Sequence, residues 1–175
     1  MSKNWRWEIA TDCDYFRVLR AQPKAGEELE ETTYGDPIPG RSGLVRCYTV
    51  AVCLSGEIYA EWGDGSSSTI TGFCYGPNRG EADRTIIPDG RVYYRAETDV
   101  DFICIKPREQ GVRLDQDYFE DPTTIAPIPE SWVVCLQGEI TANGQTYGQL
   151  EAFPVQGQTD VNCTPDAVFV RVRQR

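Results

Sequence analysis

The sequence predicts an all-β protein built from two similar halves, with very little helix. Apolar and polar residues alternate in short segments such as 5–9, 101–106 and 168–173, which is the periodicity of strands. The octet AVCLSGEI at 51–58 returns as VVCLQGEI at 133–140, and residues 50–60 and 132–142 are identical at seven of eleven positions. An internal match of this quality indicates a duplicated supersecondary unit.

Turn residues separate the predicted strands. The pairs Asp64-Gly65 and Asn143-Gly144 are hairpin-turn signals, because both residues of each pair tolerate a positive φ. The best helix candidate, AGEELEETT at 25–33, has no apolar periodicity, so helix is expected for a turn or two at most.

The repeat extends beyond the octet. Aligning Asp99 with Asp166 also pairs Phe102 with Phe169, at an offset of 67 residues instead of the 82 found at the octet. The first copy therefore carries a 15-residue insertion, which is predicted to be a long hairpin loop around 63–83. The predicted boundaries are N-terminal strands and an extended arm at 1–43, a first repeat at 44–106, a linker arm at 107–131 and a second repeat at 132–175.

Four residues are predicted to define the repeated structure. Cys53 and Cys135 lie in the repeated strand, and Gly56 and Gly138 follow it. Both glycines are expected to permit a backbone geometry that a side chain would hinder. The repeated Asp99 and Asp166 begin strands, where an aspartate ordinarily caps a turn rather than taking part in catalysis.

Charge and hydropathy narrow the function classes. The 175 residues carry a net charge of −10, which argues against binding a phosphate backbone. No apolar run approaches the roughly 20 residues that a bilayer helix requires. The first residues lack the apolar core of a secretory signal, so a cytoplasmic or other intracellular location is expected, or a virion if the chain is a viral subunit.

Histidine is absent, and this excludes much catalytic chemistry. Ser-His and Cys-His nucleophilic pairs are impossible, and no GxSxG motif or glycine-rich phosphate loop occurs. The seven cysteines include no CxxC pair, and Cys53, Cys104 and Cys135 lie in apolar runs. These three are predicted to be buried free thiols rather than zinc ligands.

Each copy resembles the cupin β-barrel in the order of its motifs. A strand with CLxGEI is followed by an Asn-Gly or Asp-Gly turn, then by a proline-containing corner (PDG at 88–90, PVQG at 154–157), and then by a strand reading DxxFxxI/V. The resemblance covers about 44–106 and 124–173. It implies two cupin-like jelly-roll repeats packed together, as in bicupin-type proteins.

The resemblance also implies where a cupin metal site would lie, and no ligand is kept there. Enzymes of this family carry two His and a Glu before the first-motif glycine and a His after the corner. In this chain those positions hold other residues, namely Ser42, Leu44, Thr49 and Tyr93 in the first copy and Thr124, Ala126, Ser131 and Asp160 in the second. No metal and no cofactor are therefore expected, and a histidine-containing iron triad is impossible.

A small-ligand site remains an alternative. Near the expected pocket mouth, Tyr93, Tyr94 and Glu97 offer hydroxyls, a ring face and a carboxylate, and Asp160 and Asn162 lie on the matching face of the second copy. Strand alternation argues that one tyrosine instead packs inward while its neighbour is solvated.

Acidic clusters at 27–31 and 115–121 are expected to be solvated faces. Asp115 and Asp117 match the start of a calcium loop, but Glu120 stands where glycine is needed and Ala126 where Glu is needed. A weak calcium site stays open as an alternative there.

These observations predict a non-catalytic, metal-free interaction protein whose partner is a second copy or a larger protein assembly, for instance as a phage head or tail accessory subunit. Trp5 and Trp7 share one strand face and are candidates for the interface, unless they cover the chain's own barrel. The alternative is a protein that binds a small polar, sugar-like molecule, or a metal-independent enzyme acting on one.

Overall fold

The structure, a computed structural model, describes residues 4–32, 35–37, 44–46, 50–62, 65–71, 74–75, 86–87, 91–108 and 114–174. Every regular element within these ranges is a β-strand. The prediction of an all-β fold is therefore confirmed. Within the same ranges, no helix is long and apolar enough to cross a membrane.

The chain divides into two compact units, residues 1–112 and 113–175. The first unit contains twelve described strands: β1 (Glu8–Asp12), β2 (Phe16–Ala21), β3 (Glu28–Thr32), β4 (Gly35–Pro37), β5 (Leu44–Arg46), β6 (Val50–Ser55), β7 (Glu57–Trp62), β8 (Ser67–Thr71), β9 (Cys74–Tyr75), β10 (Ile86–Ile87), β11 (Arg91–Ala96) and β12 (Asp101–Pro107). They form antiparallel sheets in the orders β1-β2-β12-β6-β9, β3-β11-β7-β8 and β10-β5-β4.

The second unit contains eight strands: β13 (Leu114–Phe119), β14 (Thr123–Ile125), β15 (Ser131–Gln137), β16 (Ile140–Ala142), β17 (Gln145–Tyr147), β18 (Ala152–Pro154), β19 (Thr159–Cys163) and β20 (Val168–Gln174). They form two four-stranded antiparallel sheets in the orders β13-β20-β15-β18 and β14-β19-β16-β17. Alternating burial along β19 and continuous burial along the middle of β15 place apolar residues in the core.

The two units repeat the same strand order. β2-β12-β6-β9 corresponds to β13-β20-β15-β18, and β3-β11-β7-β8 corresponds to β14-β19-β16-β17. β1 is an addition to the first unit within this comparison, because it lies outside β2 at the sheet edge. The duplication inferred from eleven residues therefore includes eight strands in each copy.

An irregularity of the ladder confirms the residue alignment. Phe102 pairs with Cys53 and Asp101 with Ser55, so Leu54 is bulged. The second unit repeats this arrangement, since Phe169 pairs with Cys135, Val168 pairs with Gln137, and Leu136 is bulged. The same bulge at the same position in both copies supports the predicted pairing of Phe102 with Phe169.

Turn geometry confirms the predicted Asn143-Gly144 hairpin. The predicted Asp64-Gly65 turn lies partly outside the described residues. Asn143 and Gly144 have φ of 53° and 76° and connect Ala142 to its partner Gln145, as a two-residue hairpin requires. Gly65 has φ of 82°, whereas Asp64 lies outside the described residues. Most of the predicted hairpin insertion, the PDG corner at 88–90 and residues 38–43 of the predicted N-terminal arm also lie outside them.

The copies begin earlier in the chain than the sequence predicted. β2 and β3 lie in the predicted N-terminal arm, and β13 and β14 lie in the predicted linker, yet all four are members of the repeated sheets. The aligned strands Phe16–Ala21 and Leu114–Phe119 share no identical residue, so a comparison of letters could not detect them.

Candidate functional site

The interior of the first unit is the place where a barrel pocket would lie, and aromatic side chains occupy it. Trp5, Tyr94 and Phe102 belong to one buried cluster, with ring centroids of Trp5 and Phe102 6.1 Å apart and those of Tyr94 and Phe102 5.5 Å apart. Cys53 and Ile58 are fully buried in the same cluster. Rings in these edge-to-face geometries make favourable contacts beyond their buried area.

The interior of the second unit is filled in the same way. Phe119 stacks on the buried Phe169 with centroids 5.3 Å apart, and Tyr147 lies against Phe153 at 4.6 Å. Cys135 and further aliphatic residues complete this cluster. Each core is thus closed by side chains of its own unit.

Two buried polar side chains in the described part of the second unit are satisfied locally. Ser131 Oγ donates a hydrogen bond to the carbonyl of Ile128 at 2.6 Å, and Thr159 Oγ1 donates to the carbonyl of Gly157 at 2.9 Å. Neither hydroxyl therefore needs a bound molecule to complete its hydrogen bonding.

The three predicted ligand residues of the first copy do not converge. Tyr94 is buried in the core, while Tyr93 lies half-buried on the opposite face of β11, where its hydroxyl donates to Glu28 Oε1 at 2.6 Å. Glu97 is exposed beyond the end of β11 and accepts a hydrogen bond from Arg95 Nε at 2.7 Å. The side chains of Tyr93 and Tyr94 thus lie on opposite faces of the strand, as the alternation of side chains along a strand predicts.

Asp160 and Asn162 lie on the exposed side of β19, whose buried side carries Thr159 and Val161. Asp160 Oδ1 accepts a hydrogen bond from Thr124 Oγ1 at 2.7 Å. The register places Asp160 at the position of Tyr93, as the sequence alignment predicted. Both positions face away from the core of their unit.

Trp5 and Trp7 cover the core of the first unit rather than presenting a free aromatic surface. Trp5 is 6 % exposed, and its ring meets that of Trp7 edge-on at 4.9 Å. Trp7 is partly buried against Phe102 at 5.3 Å, with Lys106 Nζ 5.4 Å from its ring centroid. The side chain of Trp5 therefore packs inside its own unit, which is the alternative that the sequence left open.

The repeated cysteines are buried free thiols, as predicted, and Cys104 is also buried. Cys53 Sγ lies 3.2 Å from the carbonyl of Ser55, and Cys135 Sγ lies 3.5 Å from that of Gln137. Burial raises the pKa of Cys135 to about 12. A thiol held neutral in this way is a poor nucleophile and metal ligand.

The repeated glycines occupy equivalent tight corners. Gly56 has φ of 84° and Gly138 has φ of 70°. After each glycine, the next amide donates to a threonine hydroxyl: Glu57 N to Thr98 Oγ1 at 3.0 Å, and Glu139 N to Thr164 Oγ1 at 3.1 Å. The threonines were missed in sequence analysis, because their spacing to the following aspartate differs by one residue between the copies.

The predicted metal and calcium positions gather no metal-binding set among the described residues. No group of three His, Cys, Asp or Glu side chains capable of holding a metal occurs in that part of the chain. Asp115 and Asp117 lie on a strand and form ion pairs with Arg173 and Arg171, respectively. Ser42 and Thr49 lie outside the described residues, and of Leu44 only the backbone is described.

Asp99, one of the two aspartates predicted to be turn residues, has structural contacts. Asp99 accepts hydrogen bonds from the amide of Ala25 and from Lys24 Nζ, both at 3.0 Å, and these contacts lower its pKa. An open cleft of about 400 Å³ lies beside them. Its charged groups are all paired: Lys24 binds Asp99 within the cleft, and Asp101 binds Arg20, which lies outside the lining. This cleft is therefore a polar surface between structural ion pairs.

The outer face of β3, β7 and β11 carries aromatic and charged side chains that contact one another. Tyr59 and Tyr93 meet at 6.5 Å between ring centroids, and the Arg95 guanidinium lies 5.2 Å from the centre of the Tyr59 ring. Glu61 Oε2 accepts a hydrogen bond from the Tyr59 hydroxyl at 2.9 Å. The corresponding positions of the second unit hold Thr141, Asp160 and Asn162 in place of Tyr59, Tyr93 and Arg95.

No family model matches this sequence, and a search of curated proteins returns no match. Solved structures with a similar fold include YhhW from Escherichia coli (TM-score 0.61, 10 % identity, 91 % of this chain and 80 % of that chain) and HutD from Pseudomonas fluorescens SBW25 (TM-score 0.57, 12 % identity, 91 % and 79 %). A third is a cupin 2 conserved barrel domain protein from Leptotrichia buccalis (TM-score 0.55, 9 % identity, 100 % and 91 %). Identities this low establish the fold alone: the chain has a cupin-type all-β fold.

Proposed function

We propose that this chain is a bicupin-type protein without the imidazole metal site, and that it acts as a non-catalytic interaction protein through self-association or docking on a larger protein assembly. The observation that carries the proposal is the packing of aromatic and aliphatic side chains in the interior that the described residues of each unit form. Where a ligand-binding barrel keeps a cavity with convergent polar groups, these units hold Trp5, Tyr94 and Phe102, or Phe153 and Phe169.

The comparison between the two copies supports a role for the surface. Positions that build the fold are the same in both, including Cys53 and Cys135 and the bulge that follows each. Positions on the outer face differ, as Tyr59 and Thr141 illustrate. The second copy folds without tyrosines at these positions, so the fold does not require tyrosine on this face. The residues of the outer face can therefore differ according to what each copy contacts.

Binding of a small polar molecule has less support. Its candidate groups in the first copy are separated, with Tyr94 in the core and Tyr93 on the opposite side of the strand. The narrower idea of a phage virion subunit is left out of the proposal, because none of the described contacts bears on it.

Native mass spectrometry of the intact protein, purified without added metal or ligand, tests the proposal. The expected spectrum contains an oligomer whose mass is an integral multiple of the chain mass. A denaturing spectrum of the same sample serves as the control, because it reveals any covalent modification. A stoichiometric metal or small molecule retained in the native spectrum would overturn the proposal.

A further inference from the structure

Among the strands that the structure describes, β8 forms one edge of the β3-β11-β7-β8 sheet. It pairs with β7 over five successive residues without a bulge, from Glu57 with Thr71 to Glu61 with Ser67. The backbone groups on the other side of an edge strand are a template for a further strand. Charged side chains, proline and bulges on the edge strand decide whether a further strand can pair with it.

The sequence of β8, Ser-Ser-Thr-Ile-Thr, contains no charge and no proline. Ser67, Thr69 and Thr71 are exposed, while Ile70 is buried in the core. Threonine favours the extended backbone, and an uncharged edge without a bulge has nothing that repels a second strand.

The other described edges carry features that oppose pairing. β1 has Glu8 and Asp12 together with a bulge, β3 has three glutamates, and β13 has Asp115 and Asp117. β4, β9, β10, β14, β17 and β18 are two or three residues long. Among the strands that the structure describes, β8 is thus the long edge without such protection.

We propose that β8 pairs antiparallel with β8 of a second copy of this chain, joining the two β3-β11-β7-β8 sheets into one continuous sheet. This inference rests on the self-association in the proposed function and names the surface that produces it. A two-fold interface is isologous, so each residue must be compatible with its own symmetry mate.

Symmetric pairing suits this strand. With the two-fold axis at Thr69, that residue faces its symmetry mate, Ser67 faces Thr71, and Ser68 faces Ile70. No like charges meet along the strand, and threonine pairs directly across two strands are favourable. The same operation on β1 would place Glu8 opposite Asp12, which is repulsive.

The duplication supplies a matched control. Thr69 pairs with Tyr59, and Thr146 pairs with Thr141, so the two threonines occupy the same position in the two copies, and both are exposed. Thr146 lies on the three-residue edge strand β17. A lysine at either site has a similar local environment, but only at Thr69 does it lie in the proposed interface.

The experiment is sedimentation velocity over a dilution series for the wild type, Thr69→Lys and Thr146→Lys, with thermal unfolding of each as the check on folding. The wild type is expected to form a dimer. Thr69→Lys is expected to raise the dimer dissociation constant by about tenfold or more, because two ammonium groups meet at the axis. Thr146→Lys is expected to match the wild type. If Thr69→Lys fails to fold, Thr69→Glu replaces it with the same expectation, because two carboxylates then meet at the axis.

A wild type that self-associates while Thr69→Lys has an unchanged dissociation constant would overturn the β8 interface and leave the proposed function standing. An equal loss in Thr146→Lys would overturn it as well. A wild type that stays monomeric would overturn pairing with a second copy. Failure of the proposed function is detected separately, by a bound small molecule in the native mass spectrum.

Discussion

Gly56 lies directly against the backbone carbonyl of Asp99, so closely that a Cβ on Gly56 would meet that oxygen well inside contact distance. Gly138 is also packed tightly against the backbone in the second unit, because a Cβ on Gly138 would lie 2.8 Å from the Cα of Ala167. Each glycine combines a positive φ with a backbone neighbour that cannot rotate away. The repeated octet therefore keeps its glycine for two independent reasons.

Gly56→Ala and Gly138→Ala are each expected to lower the free energy of unfolding by about 3 kcal/mol, from left-handed strain of about 1–2 kcal/mol together with overpacking. Valine at either position should cost more. Gly144→Ala is the control: φ is 76° there, but nothing lies within 4 Å of a Cβ, so only the strain is expected. Urea denaturation measures all three, and equal losses in Gly56→Ala and Gly144→Ala would contradict the role of close packing.

Tyr93 and Tyr94 are expected to respond very differently to truncation. Tyr94→Ala removes a buried ring that contacts Phe102, so the free energy of unfolding should fall by about 3 kcal/mol or more. Tyr93→Ala removes a half-buried ring on the outer face and one hydrogen bond to Glu28, with an expected loss of about 1 kcal/mol. Denaturant titration of both variants makes the comparison, and a larger loss for Tyr93→Ala would show that the two faces are assigned the wrong way round.

The buried thiol of Cys135 is expected to make stability fall at alkaline pH. Its pKa rises from 9.0 to about 12 on folding, chiefly by burial. Between these values the unfolded chain has lost the proton and the folded chain retains it, so rising pH favours unfolding. The expected slope is about 1.4 kcal/mol per pH unit for each such thiol.

Cys135→Ala should flatten that slope, although it also lowers stability at neutral pH by leaving space in the core. The free energy of unfolding is measured for the wild type and the variant at successive pH values above 9.0. Subtracting one profile from the other removes the contribution of lysine and tyrosine titration, which both proteins share. Cys163→Ala, at a partly exposed thiol, should change the slope less. A wild type and Cys135→Ala with parallel profiles would contradict the assignment.

The Arg20–Asp101 pair is expected to contribute more to stability than an exposed pair does. Arg20 donates two hydrogen bonds to the Asp101 carboxylate, at 2.9 and 2.6 Å, and both side chains are partly shielded from solvent. Asp101→Asn should cost about 1 kcal/mol. Lys24→Gln breaks the more exposed pair with Asp99 and should cost less than that. Thermal unfolding at low and high salt compares them, and equal costs would contradict this ranking.

The structural part of the repeat could be predicted from the sequence, but the spatial arrangement of the candidate ligand residues could not. Periodicity assigned the strands, and the octet identified Cys53, Gly56 and their counterparts, because local backbone geometry and burial restrict those residues strongly. Tyr93, Tyr94 and Glu97 were grouped because they are near each other in sequence. Neighbours along a strand face opposite sides, so closeness in sequence does not bring them to one cavity.

The sequence by itself determined the fold class, the duplication and the Asn143-Gly144 hairpin, because each depends on short-range rules of alternation, identity and turn conformation. The tertiary structure decided where each copy begins, since β2 and β13 are equivalent only through their pairing with β12 and β20. It also decided that Trp5 closes a core and that β8 is an edge. These features depend on which distant segments become neighbours in the fold. Short-range patterns in the sequence do not show which strands pair over long distances along the chain.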